Sequence, residues 1–256
     1  MTDINIYADQ TAINALTPIS GDVVLRASDN AVLLYNGSAW KEFQPDAGAF
    51  SNDYSVSHDG SNEHITLTSS ITFSGAFTIS MWIKPSGSGT RMFLGMYGSA
   101  NLYCFVNNTG RITFVPVTAG VGINTSGVAV SNDSWYNIII IRDASDSINV
   151  YVDGTSYGSG VRSGTLTCGT LNHPSYAYEG LIDEVAMWDS DQTTNLASIS
   201  GEPSNLGTLT PLHWWRMGDN DPGTGTTITD QGSGSNDAEL QNGATFVSGS
   251  GNTPGN

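Results

Sequence analysis

The sequence predicts an all-β protein: a two-sheet antiparallel sandwich preceded by a small β-meander module. Three observations predict it. The segment Asn132 to Gly154 holds two apolar runs around a polar turn, the 256 residues include 30 glycines with few helical stretches, and short alternating runs recur between Gly, Asn and Asp turns. In the first of these, Trp135, Asn137, Ile139 and Ile141 fall on one face and Tyr136, Ile138, Ile140 and Arg142 on the other. Both faces are mainly apolar, so the run reads as a strand inside a stacked core. Asp143 to Ser147 turn the chain, and Ile148, Val150 and Val152 alternate with polar neighbours until Asp153-Gly154 turns it again.

In chain order, residues 1–46 read as a separate module. Asp9 caps a short helix from Gln10 to Leu16, and Val23 to Arg26, Ala31 to Tyr35 and Ser38 to Phe43 form a meander across Ser28-Asp29-Asn30 and Asn36-Gly37. So few residues make a marginal core, which predicts docking onto a partner or onto the rest of the chain. Residues 44–51 are a linker by composition, and the sandwich spans 47–256. Its strands are expected at Tyr54 to Ser57, Ile65 to Leu67, Phe77 to Ile83, Leu102 to Val106, Arg111 to Val115, the central hairpin, Thr165 to Cys168 and Leu181 to Trp188. A short helix from Thr193 to Ile199 precedes Pro203, and the Gly/Ser/Asn-rich end, Ser248 to Asn256, is expected to be disordered alone.

Four stretches in order carry a family resemblance: Asp59-Gly60-Ser61-Asn62, Phe77 to Pro85, Trp135 through Val150-Tyr151-Val152-Asp153-Gly154, and Tyr178 to Val185 running on to Trp188. Together they resemble the laminin-G-like, concanavalin-A-type jelly roll over about residues 50–200. Pro211 to Asn220, with Ile228-Thr229-Asp230 and Ala238 to Ala244, is similar to the segment that opens many such domains. Residues 205–256 are therefore expected to complete the same sandwich in permuted order. Trp214 and Trp215 would then face opposite ways, one into the core and the other toward the N-terminal module or a partner. The string from Tyr7 to Phe43 resembles small modules of tailed-bacteriophage fibre and appendage proteins.

The formal net charge is −16, from 24 acidic and 8 basic residues. Such a surface repels phosphate backbones and anionic membranes, so nucleic-acid binding and membrane insertion are not expected. Met1 to Asn5 lacks the basic start and apolar run of a signal peptide, which predicts a chain made soluble in a cytoplasm. Cys104 alternates with Leu102 and Val106 as a core residue would; a disulfide to Cys168 is left open. The four histidines show no metal spacing.

Tyr176 and Tyr178, beside His173-Pro174, are the candidate sugar-stacking rings, with packing under a loop as the other reading. Asp183 reads as a structural carboxylate. The resemblance implies the alternative, a calcium ion held by Asp183 with Asp59 and backbone carbonyls; no cofactor is otherwise required. A glycosidase needs two carboxyls about 5–5.5 Å or 6.5–9.5 Å apart. Glu179 and Asp183 on one strand face would stand about 13 Å apart, Asp183 and Glu184 are expected on opposite faces, and the E-x-D-x-x-E pattern of related glucanases is absent. No enzyme is expected. The two resemblances imply a non-enzymatic bacteriophage virion protein of fibre or capsid-decoration type. It would be assembled in the host cytoplasm, displayed at the particle surface and homo-oligomeric, with a trimer suiting such proteins, and Tyr7, Tyr35, Trp40 and Phe43 would contact other virion proteins. On the particle it would adhere to host-surface glycans or contact neighbouring subunits; the alternative is a lectin-like carbohydrate-binding protein, calcium-dependent or calcium-independent, and the third reading is a glycoside hydrolase.

Overall fold

The structure is a computed structural model that describes residues 5–20, 22–28, 31–43, 50–95, 102–116, 122–127 and 129–255. The chain divides into two compact units, Met1–Ser51 and Asn52–Asn256.

In the first unit, β1 (Asn5–Tyr7), β2 (Val23–Arg26), β3 (Ala31–Tyr35) and β4 (Trp40–Phe43) form one sheet in that order, with α1 (Gln10–Asn14) after β1. Asp9 caps α1, accepting from Ala12 N at 3.0 Å. β1 runs parallel to β2, a pairing that three residues without alternation did not announce. The unit's core is Ile13, Val24 and Leu33, flanked by Tyr7, Leu16 and Trp40.

The second unit contains β5 (Tyr54–Asp59), β6 (His64–Phe73), β7 (Phe77–Pro85), β8 (Arg91–Gly95), β9 (Leu102–Val106), β10 (Ile112–Pro116) and β11 (Ile123–Asn124). There follow β12 (Tyr136–Arg142), β13 (Ser147–Val152), β14 (Thr155–Val161), β15 (Leu166–Thr170) and β16 (Glu179–Trp188). After a 3-10 turn and the single turn α2 (Leu196–Ile199) come β17 (His213–Trp215), β18 (Thr227–Ile228), β19 (Ala238–Gln241) and β20 (Thr245–Ser248).

One sheet has the order β14-β13-β12-β7-β16-β5-β20, with β17 also on β16. Against it lie two four-stranded sheets, β11-β10-β9-β8 and β15-β6-β19-β18, and one apolar cluster joins all three. Thr170 Oγ1 of β15 donates to Gly95 O of β8 at 3.2 Å, tying the two smaller sheets together. The Ile-rich strand β12 sits between β7 and β13; Ile138 and Ile140 join the central cluster, and Ile139 and Ile141 are buried on the opposite face. Arg142, on its core face, is fully buried, donates to the carbonyls of Gly75 and Gly164, each at 2.7 Å, and lies over the Phe77 ring. Cys104 and Cys168 are buried free thiols, both pushed up in pKa by burial.

The end of the chain is ordered by the sandwich itself, contrary to the expectation of disorder. Ser55 Oγ donates to Asn252 O at 2.6 Å, Lys84 Nζ to Gly251 O at 2.9 Å, and Asn52 Nδ2 to Pro254 O at 3.3 Å. Thr253 and Pro254 are buried. Trp215 enters the core as one of the tryptophan pair had to. Trp214 is buried as well, its Nε1 donating to Glu184 at 2.6 Å within the same unit.

Candidate functional site: an aromatic sheet face

Alternation on β9 sends Leu102, Cys104 and Val106 into the core and Tyr103 and Phe105 to the outward face. Their rings lie 6.2 Å apart at 20°, nearly parallel. Register places Met92 of β8 and Thr113 of β10 on either side of Phe105, and Gly95 and Val115 on either side of Tyr103. Gly95 is held at φ +75°, and a Cβ there would fall 1.9 Å from Leu102 O, so the close approach of β8 to β9 requires glycine. Thr113 Oγ1 donates to Asn124 Oδ1 of β11 at 2.7 Å, which fixes the amide at the far side of the face.

The loop after β15 borders the near side. Met92 N donates to Tyr176 O at 2.9 Å, so this loop runs beside the edge of β8. Its turn is built by His173, whose Nδ1 accepts from Ser175 N at 2.9 Å and thereby leaves the proton on Nε2. Burial and the nearby His64 lower the His173 pKa, so the ring is neutral at pH 7. Tyr176 is 48 % exposed, with its ring 5.7 Å from that of His173. Two aromatic rings, Tyr103 and Phe105, thus lie near-parallel on the outward face, with buried Thr113 and exposed Asn124 on the flanking strands, and the loop that carries Tyr176 and His173 meets the edge of β8. Such a surface can stack on the C–H face of a ring-shaped ligand and hydrogen-bond its edge.

Of the two tyrosines singled out in the sequence, Tyr176 stands at this face and Tyr178 does not. Tyr178 is fully buried, edge-on to His58 and Phe93, with its hydroxyl donating to Leu181 O at 3.3 Å. Alternate residues of a strand share a face, but here the chain turns between them, so the second ring goes under the loop. A sugar cannot reach it.

The calcium pair is likewise not assembled. Asp59 pairs with Glu179, four residues from Asp183 on the same strand, which separates the two by about 13 Å. Exposed Asp59 accepts from Ser61 N at 2.8 Å, while fully buried Asp183 accepts from Asn52 Nδ2 at 3.0 Å and Glu184 N at 2.8 Å. Among the described residues no three His, Cys, Asp or Glu side chains are placed to hold a metal ion.

The expected alternation of Asp183 and Glu184 is broken by a bulge in β16 before Ala186, with Glu184 at φ +44°. Glu184 turns to Arg216 Nε at 2.9 Å and to Trp214. Burial raises the pKa of Asp183, Glu184 and Asp219, and at Asp183 the charge of Glu184 adds to it. Asp183 and Glu184 are sealed from solvent and belong to the fold, not to a cleft.

Of the four residues expected at an assembly interface, Tyr7 and Trp40 pack on their own unit's core, and Tyr35 lies 5.4 Å from Trp40. All three rings are half-buried. The side chain of Phe43 lies outside the described residues. Among the described residues of this unit, Ile6 and Ile19 are the most exposed large apolar side chains, at 66 % and 72 %, followed by Val23 and Leu34.

The family model of the concanavalin A-like lectin/glucanases superfamily matches residues 59–200. Among solved structures, the chain is similar to a Bacteroides ovatus protein provisionally described as carbohydrate binding, with 14 % identity, a TM-score of 0.60, and 95 % of this chain and 72 % of that one covered. It is also similar to a heptameric SAP-like pentraxin from Limulus polyphemus, with 14 % identity, a TM-score of 0.47, and 59 % of this chain and 82 % of that one covered. No curated protein matches it. With the two-layer antiparallel core in place and more than half of its length matched, the chain belongs to the concanavalin A-like lectin/glucanases superfamily.

Proposed function

We propose that the protein is a lectin-like, non-catalytic carbohydrate binder. The observation that carries this is the near-parallel pair Tyr103 and Phe105 on the outward face of β9, with Asn124 exposed nearby and a loop carrying half-exposed Tyr176 and His173 against the edge of β8. Pyranose rings present a C–H face to aromatic rings and hydroxyls to neutral donors and acceptors, and both chemistries are here together. The description of the Bacteroides ovatus protein supports the reading. A catalytic pair needs two carboxyls at glycosidase spacing beside the substrate, and the residues named on this face include none. Isothermal titration against a soluble oligosaccharide panel tests it. Phe105→Ala and Tyr176→Ala are each expected to weaken binding about tenfold, equivalent to about 1.4 kcal/mol, with no release of reducing ends. Unchanged affinity in both variants would remove this face from consideration.

A second reading concerns placement. Among its described residues the first unit buries Ile13, Val24 and Leu33 and exposes Ile6, Ile19, Val23 and Leu34, which favours docking on a larger assembly. Attachment to a virion rests on the resemblance of Tyr7 to Phe43 to phage appendage modules. On such a particle many copies would turn weak sugar contacts into avidity. Immunogold labelling of purified particles, or its absence, decides this reading.

A further inference from the structure

Charge is distributed unevenly along this chain. Over the whole sequence 24 acids and 8 bases occur in 256 residues, one charge in eight, yet from Met92 to Asn132 the only charged residue is Arg111. That stretch supplies most of β8, all of β9, β10 and β11, and their connections. Residues 96–101 and 117–121, whose structure is not described, are uncharged as well.

The basic residues of the second unit are committed elsewhere. Lys84 donates to Gly251 O, Arg142 to three backbone carbonyls, Arg162 to Val161 O, and Arg216 to Glu184. Arg91 is buried and donates to Ser86 O, Gly87 O and Asn132 Oδ1. Arg111 stands at the β9–β10 hairpin, with Nε donating to Gly127 O at 3.4 Å.

We infer that the aromatic face selects uncharged glycans and binds them without a bridging metal ion, an inference that rests on the carbohydrate reading above. A uronate, sialate or sulfate presented here would meet a single cation, Arg111 at the hairpin end with its Nε turned to Gly127 O, and, at longer range, the repulsion of a molecule with a net charge of −16. A calcium-bridged sugar requires carboxylate oxygens beside the ligand, and the outward side chains of β8–β11 offer only hydroxyl and amide groups among the described residues. Stacking and neutral hydrogen bonds remain, and these are weakly screened by salt.

The test is affinity electrophoresis of the full chain through gels holding neutral polysaccharides (β-glucan, mannan, xylan) or anionic ones (polygalacturonate, alginate, heparin). The expected result is retardation by a neutral polymer and by no anionic one. It should change less than about twofold with EDTA or between about 50 and 500 mM NaCl. Arg111→Gln should leave it unchanged, and Phe105→Ala should weaken it by the same factor of about ten. Retardation by an anionic polymer, or release by EDTA, overturns the inference while a Phe105-dependent interaction keeps the carbohydrate reading. Retardation by neither class overturns both. Self-association that light scattering shows to be lost in Phe105→Ala makes the face a contact between copies and likewise overturns both.

Discussion

His58 carries the sharpest consequence of burial in this protein. Its ring is enclosed beside Tyr178, neither nitrogen meets a well-aligned hydrogen-bond partner among the described residues, and burial, against a weaker opposing pull from the Val56 backbone, holds its pKa at about 3 against an ordinary 6.5. The unfolded chain therefore takes up a proton that the folded chain refuses. His58's contribution is whole above pH 6.5 and is lost as the pH falls from 6.5 toward 3. At about pH 4 the loss is on the order of 3 kcal/mol. In His58→Phe, the drop in urea-derived stability from about pH 7 to about pH 4 should shrink by that amount relative to the unsubstituted protein. Asp183, Glu184 and Asp219 act in the opposite sense, because their raised pKa values favour the folded state as the pH falls; present in both proteins, they cancel in the comparison. An identical pH slope in the two proteins would refute the assignment. Arg216 is the converse case, a cation whose removal strands a buried carboxylate. Arg216→Met should cost about 3–5 kcal/mol near pH 8, and less near pH 5, where Glu184 can take a proton instead. Urea melts at the two pH values read this directly, and an equal cost at both would show that Glu184 is not the group left unpaired.

Among the elements, those whose residues agree with their surroundings were legible in the sequence. β12 announced its central place because Ile138 to Ile141 leave no polar face. β14 did not, since TSYGSGV shows no apolar alternation; it pairs only with β13 in its sheet and buries none of its residues fully. The bulge at Asp183 and Glu184 was illegible because a left-handed glutamate in mid-strand follows from the tertiary contacts of Trp214 and Arg216, not from local preference. The aromatic face was half visible. Reading Leu102, Cys104 and Val106 as core already implies that Tyr103 and Phe105 point out, and the run without charge around them was the cue to look there. Tyr176 was found by its loop, whereas the burial of Tyr178 depends on packing against His58 and Phe93. The end of the chain shows what composition hides, for Gly and Ser residues are held there through backbone carbonyls that any sequence supplies. Deleting residues 249–256 removes the acceptors of Asn52, Ser55 and Lys84. Asn52 Nδ2 keeps Asp183 as an acceptor, and the expected cost is about 1–3 kcal/mol for the tail hydrogen bonds lost. Chemical denaturation of the truncated chain checks it, and an unchanged midpoint would mean that the tail is carried without contributing stability.

At the scale of the molecule the two units differ in how much surface they bury. The sandwich joins three sheets through one apolar cluster, while the first unit relies on Ile13, Val24 and Leu33. Few-residue cores supply little stability beyond the cost of ordering the chain. The first unit should therefore unfold in a separate, earlier transition, or gain stability only when docked. A chain beginning at Asn52 keeps every strand of the sandwich, and its main thermal transition is expected within about 3 °C of that of the full chain, since a 1 kcal/mol change in a domain of this size shifts the midpoint by about 2–4 °C. Calorimetry of both chains distinguishes the alternatives. Loss of a small low-temperature transition, with the main one unmoved, fits two independent units joined by a short connection. A main transition lowered by 10 °C or so would mean that the first unit stabilises the sandwich by several kcal/mol, and Ile6 and Ile19 would then be the first residues to test as the source of that coupling.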